Sequence, residues 1–270
     1  MSDRLQQLFS RCKAESRSAL VGYLTAGDPD IATSEALIME LAGQVDVLEI
    51  GMPFSDPMAD GPVIQAASER ALAAGAGIKD VFAIARKVRE THPDIGIVLM
   101  GYANVPYTIG FESFAEQASQ AGVDGVLIVD IPAEESDICH DALQKHGLHR
   151  ILLLSPTSSD ERIKLASAAA SGFIYYVSLT GITGAEMGEA NAVERQVNKI
   201  REFSDLPICV GFGVKSVEQA KRVGAFADGV VVGSHFVSQI ANAVDHPHAM
   251  LPALREAASA MHGAMTRTTP

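Results

Sequence analysis

Cysteine is scarce in this chain: Cys12, Cys139 and Cys209 lie far apart, without the close spacing of a metal site or a disulfide framework. An odd, sparse count is what a reduced, intracellular protein shows. Charge is also thin, at 20% of 270 residues, below the roughly 25% of an average soluble protein. Positive charge is the scarcer sign, and the net charge of −12 argues against nucleic acid and anionic membranes as partners. It leaves open a phosphorylated small molecule, because backbone N–H groups bind phosphate without a local Lys or Arg. No apolar run reaches the ~18 residues of a membrane span. Met1-Ser2-Asp3-Arg4 lacks the apolar core of a secretory signal, so a cytoplasmic location is expected. The eight histidines are scattered, and His246-Pro247-His248 lies too near the tail to suggest a metal site. There is no Gly-x-Ser-x-Gly elbow and no Walker loop.

What is present is apolar and periodic. Hydrophobic residues make up 47% of the chain, enough for a large core. Short apolar runs recur at Ala19–Thr25, Val45–Gly51, Ile95–Tyr102, Gly125–Ile131, Ile151–Ser155, Phe173–Ser178, Ile208–Gly211 and Gly229–Val232. Most are continuous rather than alternating, as a strand buried on both faces of a parallel sheet requires. Helical spacing falls between them, at Ile31–Ala42, Val63–Ala74, Val81–Thr91, Phe114–Ala121, Glu134–Lys145, Glu161–Ala169, Val193–Phe203 and Val217–Val223, with Asp30 and Ser216 as caps. Eight strands alternating with helices predict a (β/α)8 TIM barrel, with a doubly wound open sheet as the alternative. An extra N-terminal helix, with Leu5, Leu8, Phe9 and Cys12 on one face, could plug the barrel's bottom. With no linker or compositional break, residues 1–270 read as a single barrel domain, Met265–Pro270 forming a disordered tail.

Active residues of such barrels gather at the C-terminal strand ends. The second strand carries Glu49 within an apolar run, on one face with Val45 and Val47, and no Lys or Arg occurs between Arg17 and Arg70. An unpaired buried carboxylate has a raised pKa and can shuttle protons near neutral pH; a structural carboxylate bonded to a neighbouring strand is equally compatible. Asp60 follows in a loop with Pro53, Pro57, Gly61 and Pro62, and could cap the helix that Pro62 begins. Glycines end the last two strands, at Gly211-Phe212-Gly213 and Gly233-Ser234, and a further loop, Thr180-Gly181-Ile182-Thr183-Gly184, follows the sixth. Glycine loops after strands seven and eight, with a short helix starting near Ser234, suit a phosphate, although glycines that only make turns fit the same pattern. No lysine lies at a central strand end, so imine chemistry is not indicated.

The unbroken run from Leu48 to Pro62, Leu-Glu-Ile-Gly-Met-Pro-Phe-Ser-Asp-Pro-Met-Ala-Asp-Gly-Pro, resembles the signature of tryptophan synthase α subunits. Tyr23–Pro29, Met100–Asn104, Asp130–Glu135 and the three glycine loops extend the resemblance over about residues 1 to 262. It implies a (β/α)8 barrel and reversible retro-aldol cleavage of indole-3-glycerol phosphate to indole and glyceraldehyde 3-phosphate, a carbon–carbon lyase reaction of tryptophan biosynthesis. It makes Glu49 the acid–base and Asp60 its partner at the indole nitrogen. Gly184, Gly213, Gly233 and Ser234 would hold phosphate. Tyr23, Leu127, Tyr175, Phe212 and Val232 would wall the indole, with Tyr102 near the acid and Thr183 bonding Asp60 on loop closure. Gly22, Gly101 and Leu179 depart from the bulkier or basic residues expected of the family. The resemblance further implies an α2β2 complex, no cofactor in this chain, and pyridoxal phosphate in the partner β subunit. Competing readings are an indole-glycerol phosphate synthase, which should carry a strand-end lysine, a sugar phosphate isomerase, and a non-catalytic phosphate- or indole-binding barrel that activates a partner.

Overall fold

A computed structural model describes residues 3–135, 137–177, 186–211 and 213–266. Among the described residues, nine strands form one all-parallel sheet: β1 (Ala19–Thr25), β2 (Val47–Gly51), β3 (Gly96–Gly101), β4 (Gly125–Ile128), β5 (His149–Arg150), β6 (Leu152–Leu154), β7 (Ile174–Val177), β8 (Ile208–Gly211) and β9 (Gly229–Val232). Their order, β5-β4-β3-β2-β1-β9-β8-β7-β6, brings consecutive segments β5 and β6 to its two ends. They are the two pieces of one barrel strand, joined by Ile151, whose N–H donates to Val126 O at 3.0 Å. The eight expected strands therefore close as a (β/α)8 barrel, not an open doubly wound sheet.

The pleat divides the core in two. Val21, Val47, Val98, Leu127, Ile151, Phe173, Tyr175, Cys209 and Val231 form an inner cluster, while the alternating residues join the layer beneath the helices. The N-terminal helix, Arg4–Ala14, puts Leu5, Leu8, Phe9 and Cys12 into the inner cluster, as a plug. Phe9 meets the Phe173 ring at 5.8 Å between centroids. Asp3 caps this helix through Gln6 N–H (2.9 Å), and Arg4 binds Asp124 (2.9 Å). Each leucine so buried contributes ~1.5–3 kcal/mol.

The barrel's bottom rim carries a repeated staple. Asp46 precedes β2 and accepts Leu20 N–H at 2.9 Å; Asp124 precedes β4 and accepts Ile97 N–H at 2.9 Å; Asp228 precedes β9 and accepts Ile208 N–H at 3.0 Å. Arg17, Arg89 and Arg201 pair with the three carboxylates at 2.7, 2.6 and 3.0 Å. Ser171, ahead of β7, takes the same place as a neutral acceptor for Arg150 N–H at 3.0 Å. Every second barrel strand is thus preceded by a side chain that binds the first amides of the strand before it.

Asp30 and Ser216 cap their helices as expected, through Thr33 and Gln219 N–H groups at 2.9 and 3.3 Å. Two helices add to the sequence reading: Asn104–Ile109, and Pro247–Gly263, which begins at Pro247 and buries Met250, Leu254, Ala258 and Met261. The tail expectation is corrected in part. Met265 is buried, its carbonyl accepts Ser18 N–H at 3.1 Å, and Thr266 pairs with Arg17; residues 267–270 lie outside the described residues.

Candidate active site

Strand β2 projects Glu49 into the barrel because its register neighbours, Tyr23 on β1 and Val98 on β3, continue the inward rows begun by Val21 and Val47. Glu49 is 1% exposed and its Oε1 has no hydrogen-bond partner. Burial, with the nearby Asp60 charge adding to it, pushes its carboxyl from 4.5 up to about 8. A structural carboxylate would be bonded to a strand neighbour, and this one is not. At neutral pH it holds a proton and can give it up.

Asp60 does not cap the following helix. Gly61 is the N-cap of Pro62–Ala73, and the Asp60 carboxylate turns to β3, where Tyr102 Oη donates to its Oδ2 at 3.1 Å. Burial raises the Asp60 pKa and the Tyr102 hydrogen bond opposes that rise. Among the described residues, no cation neutralises either carboxylate. Asp46, Asp124 and Asp228 at the barrel's bottom have arginine partners; this pair at its mouth has none among the described residues.

Aromatic rings line the mouth where glycines leave room. Tyr23 Oη lies 2.2 Å from the position a Cβ on Gly51 would take, and Tyr175 Oη 2.5 Å from one on Gly211. Both hydroxyls sit within the field of Glu49 and Asp60, and desolvation followed by that charge drives both phenol pKa values upward. Leu127 is buried in the inner cluster on β4. Val232 is placed differently from the expectation. Val231 faces inward, so Val232 turns to the helix layer and cannot offer its side chain to the barrel interior. Sequence reasoning missed Thr25, bonded to Tyr23 Oη at 3.1 Å, and Phe54, stacked on Tyr102 at 5.3 Å. Thr25 could have been found from its period-two spacing to Tyr23.

The departures at Gly22 and Gly101 have local causes. A Cβ on Gly22 would come within 2.8 Å of Val45 Cγ1, and one on Gly101 within 2.7 Å of Met52 Cε. Neighbouring side chains already fill both places.

At the anion end, Gly213 takes φ +91°, a left-handed conformation suited to glycine. Gly233 is the N-cap of helix Ser234–Ala241 and supplies no capping side chain, leaving the first-turn N–H groups of that helix without intrahelical acceptors. A Cβ on Gly233 would touch Tyr23 Cβ at 3.5 Å, which puts the helix start one side chain away from the inward row of Glu49. Thr183, Gly184, Leu179 and Phe212 lie outside the described residues.

Residues 9–266 match the family model of the tryptophan synthase alpha chain. The chain belongs to the tryptophan synthase alpha chain family. It is 47% identical over 255 residues to the tryptophan synthase alpha chain of Zymomonas mobilis, covering 93% of each chain. The solved tryptophan synthase subunit alpha of Legionella pneumophila superposes with a TM-score of 0.91 at 40% identity, over 98% of this chain and 99% of that one. A chain from an aminoacrylate-bound tryptophan synthase of Mycobacterium tuberculosis gives 0.87 at 32% identity, over 98% of this chain and 100% of that one.

Proposed function

We propose that this tryptophan synthase alpha chain cleaves indole-3-glycerol phosphate reversibly to indole and glyceraldehyde 3-phosphate, as a carbon–carbon lyase. The observation that carries the reading is the buried, unpartnered Glu49 beside an un-neutralised Asp60. Protonated Glu49 gives its proton to the indole ring carbon that bears the glycerol chain, which makes an indolenine-like cation. The carboxylate so formed removes the proton of the adjacent glycerol hydroxyl. The C–C bond breaks, its electron pair returns to the ring, and the aldehyde leaves. Glu49 ends protonated, as it began. Asp60, beside the ring nitrogen, stabilises the positive charge while it exists.

Tyr23, Leu127 and Tyr175 would wall the ring, with Phe212 completing the wall, and Thr183 would bond Asp60. Gly184, Gly213, Gly233 and Ser234 would bind the phosphate through backbone amides and the helix start. This acid–base cycle asks for no cofactor in this chain. Met58, Tyr107 and Ile138 are large apolar residues exposed at 82%, 74% and 54% in the segments following β2, β3 and β4. They fit docking of a β subunit in an α2β2 complex, and pyridoxal phosphate would belong to that partner. Among the described residues no helix is long and apolar enough to cross a membrane, which is in keeping with a cytoplasmic enzyme.

Indole release from indole-3-glycerol phosphate, for wild type and Glu49→Gln, with and without a β subunit, tests the proposal. Release that the partner enhances and the substitution abolishes is the expected result. No release under any condition overturns the enzyme reading. Glu49→Gln that still activates the partner would separate catalysis from activation.

A further inference from the structure

Tyr102, at the end of β3, has one phenolic proton to give and lone pairs to receive. Its Oη donates to Asp60 Oδ2 at 3.1 Å and accepts the Ala59 N–H at 3.0 Å. Its ring stacks on Phe54 at 5.3 Å and 29°. Phe54 and Asp60 stand at opposite ends of the loop that leaves β2, so one side chain grips that loop twice. The strand end adds a third hold: Met52 N–H donates to Met100 O at 2.8 Å, and Met52 covers the place where Gly101 has no side chain. Between the grips the loop is open to solvent, with Met58 82% exposed.

We infer that Tyr102 is a positioning residue for the reaction: its hydroxyl clasps the loop after β2 to the end of β3 and fixes the Asp60 carboxylate at the barrel mouth. Since the single proton of Tyr102 is given to Asp60, its hydroxyl has none left to donate to a substrate. Among the described residues no other donor reaches the Asp60 carboxylate, and this phenol is the one that orients it there. The groups that share a field with Asp60 are Glu49 from β2, Tyr23 from β1, Tyr102 from β3 and Tyr175 from β7. Of these only Tyr102 stabilises the ionised form of Asp60.

The inference rests on the proposed lyase reading, and the test separates the two. Tyr102→Phe keeps the stacked ring and removes one oxygen. For indole release, kcat is expected to fall about ten- to hundredfold, with KM changed less than about threefold. The acid limb of the kcat profile moves to higher pH, because Asp60 ionises less readily. In an Asp60→Asn background the same substitution costs nothing further. A loss confined to KM, an unmoved acid limb, or additive losses in the double variant would overturn the inference. Carboxyl 13C NMR of Asp60 needs no turnover: its titration moves up in Tyr102→Phe, and an unmoved titration counts against the clasp even if wild type releases no indole. Should Tyr102→Phe not fold, Phe54→Leu loosens the other end of the loop, and the same upward movement is expected, its absence overturning the inference.

Discussion

Glu49 shows what a buried, unpaired carboxylate costs the fold. Its carboxyl titrates at 4.5 when unfolded and at about 8 when buried. Below the first value both states hold the proton and there is no effect. Between the two, the unfolded chain releases a proton that the folded chain keeps, so stability falls as pH rises. Above about 8 both are ionised and the full cost remains. Glu49→Gln, which does not titrate, is therefore expected to be more stable than wild type by a margin that grows from about pH 5 to about pH 9, reaching on the order of a few kcal/mol. Urea unfolding at those two pH values measures it; a constant margin would mean that Glu49 is not buried in its charged form.

At the scale of elements, the plug and the strands do separate work. Leu8 is 1% exposed within the inner cluster, below the level of Glu49. Leu8→Ala is expected to cost ~2–5 kcal/mol in unfolding experiments while changing kcat for indole release little, since the helix Arg4–Ala14 closes the opposite end. Loss of activity without loss of stability would show that the plug communicates with the mouth. The plug was legible in the sequence because its apolar residues recur at helical spacing, and the strands because two-sided burial writes continuous apolar runs. The helix Pro247–Gly263 was less so, since prolines at 247 and 252 break the pattern of Met250, Leu254, Ala258 and Met261. The division of the fifth barrel strand at Ile151, and the hold of Tyr102 on the loop carrying Asp60, depend on contacts between distant segments. No local periodicity encodes them. Glu49 stood out because a carboxylate in an apolar strand violates the local rule, which is what a functional residue does.

Over the whole molecule, two sets of acidic residues are treated in opposite ways. Asp46, Asp124 and Asp228 at the bottom are paired with arginines and bind strand amides; Glu49 and Asp60 inside the mouth have no cation partner among the described residues. Stability and the proposed chemistry are thereby kept at opposite ends of the barrel. The staples are spaced at quarter turns, yet they are not equal. Three use a charged acceptor, and a charge-assisted hydrogen bond is about twice as strong as a neutral one; the fourth uses Ser171, and it holds the barrel strand that is itself split in two. The cylinder therefore has a seam. In native-state hydrogen exchange, the Arg150 amide should open before those of Leu20, Ile97 and Ile208, and equal protection of all four would show that the barrel opens as one ring. With such a seam the barrel unzips from one side, and the sheet's last defence against unfolding lies across from it, along β1 and β2.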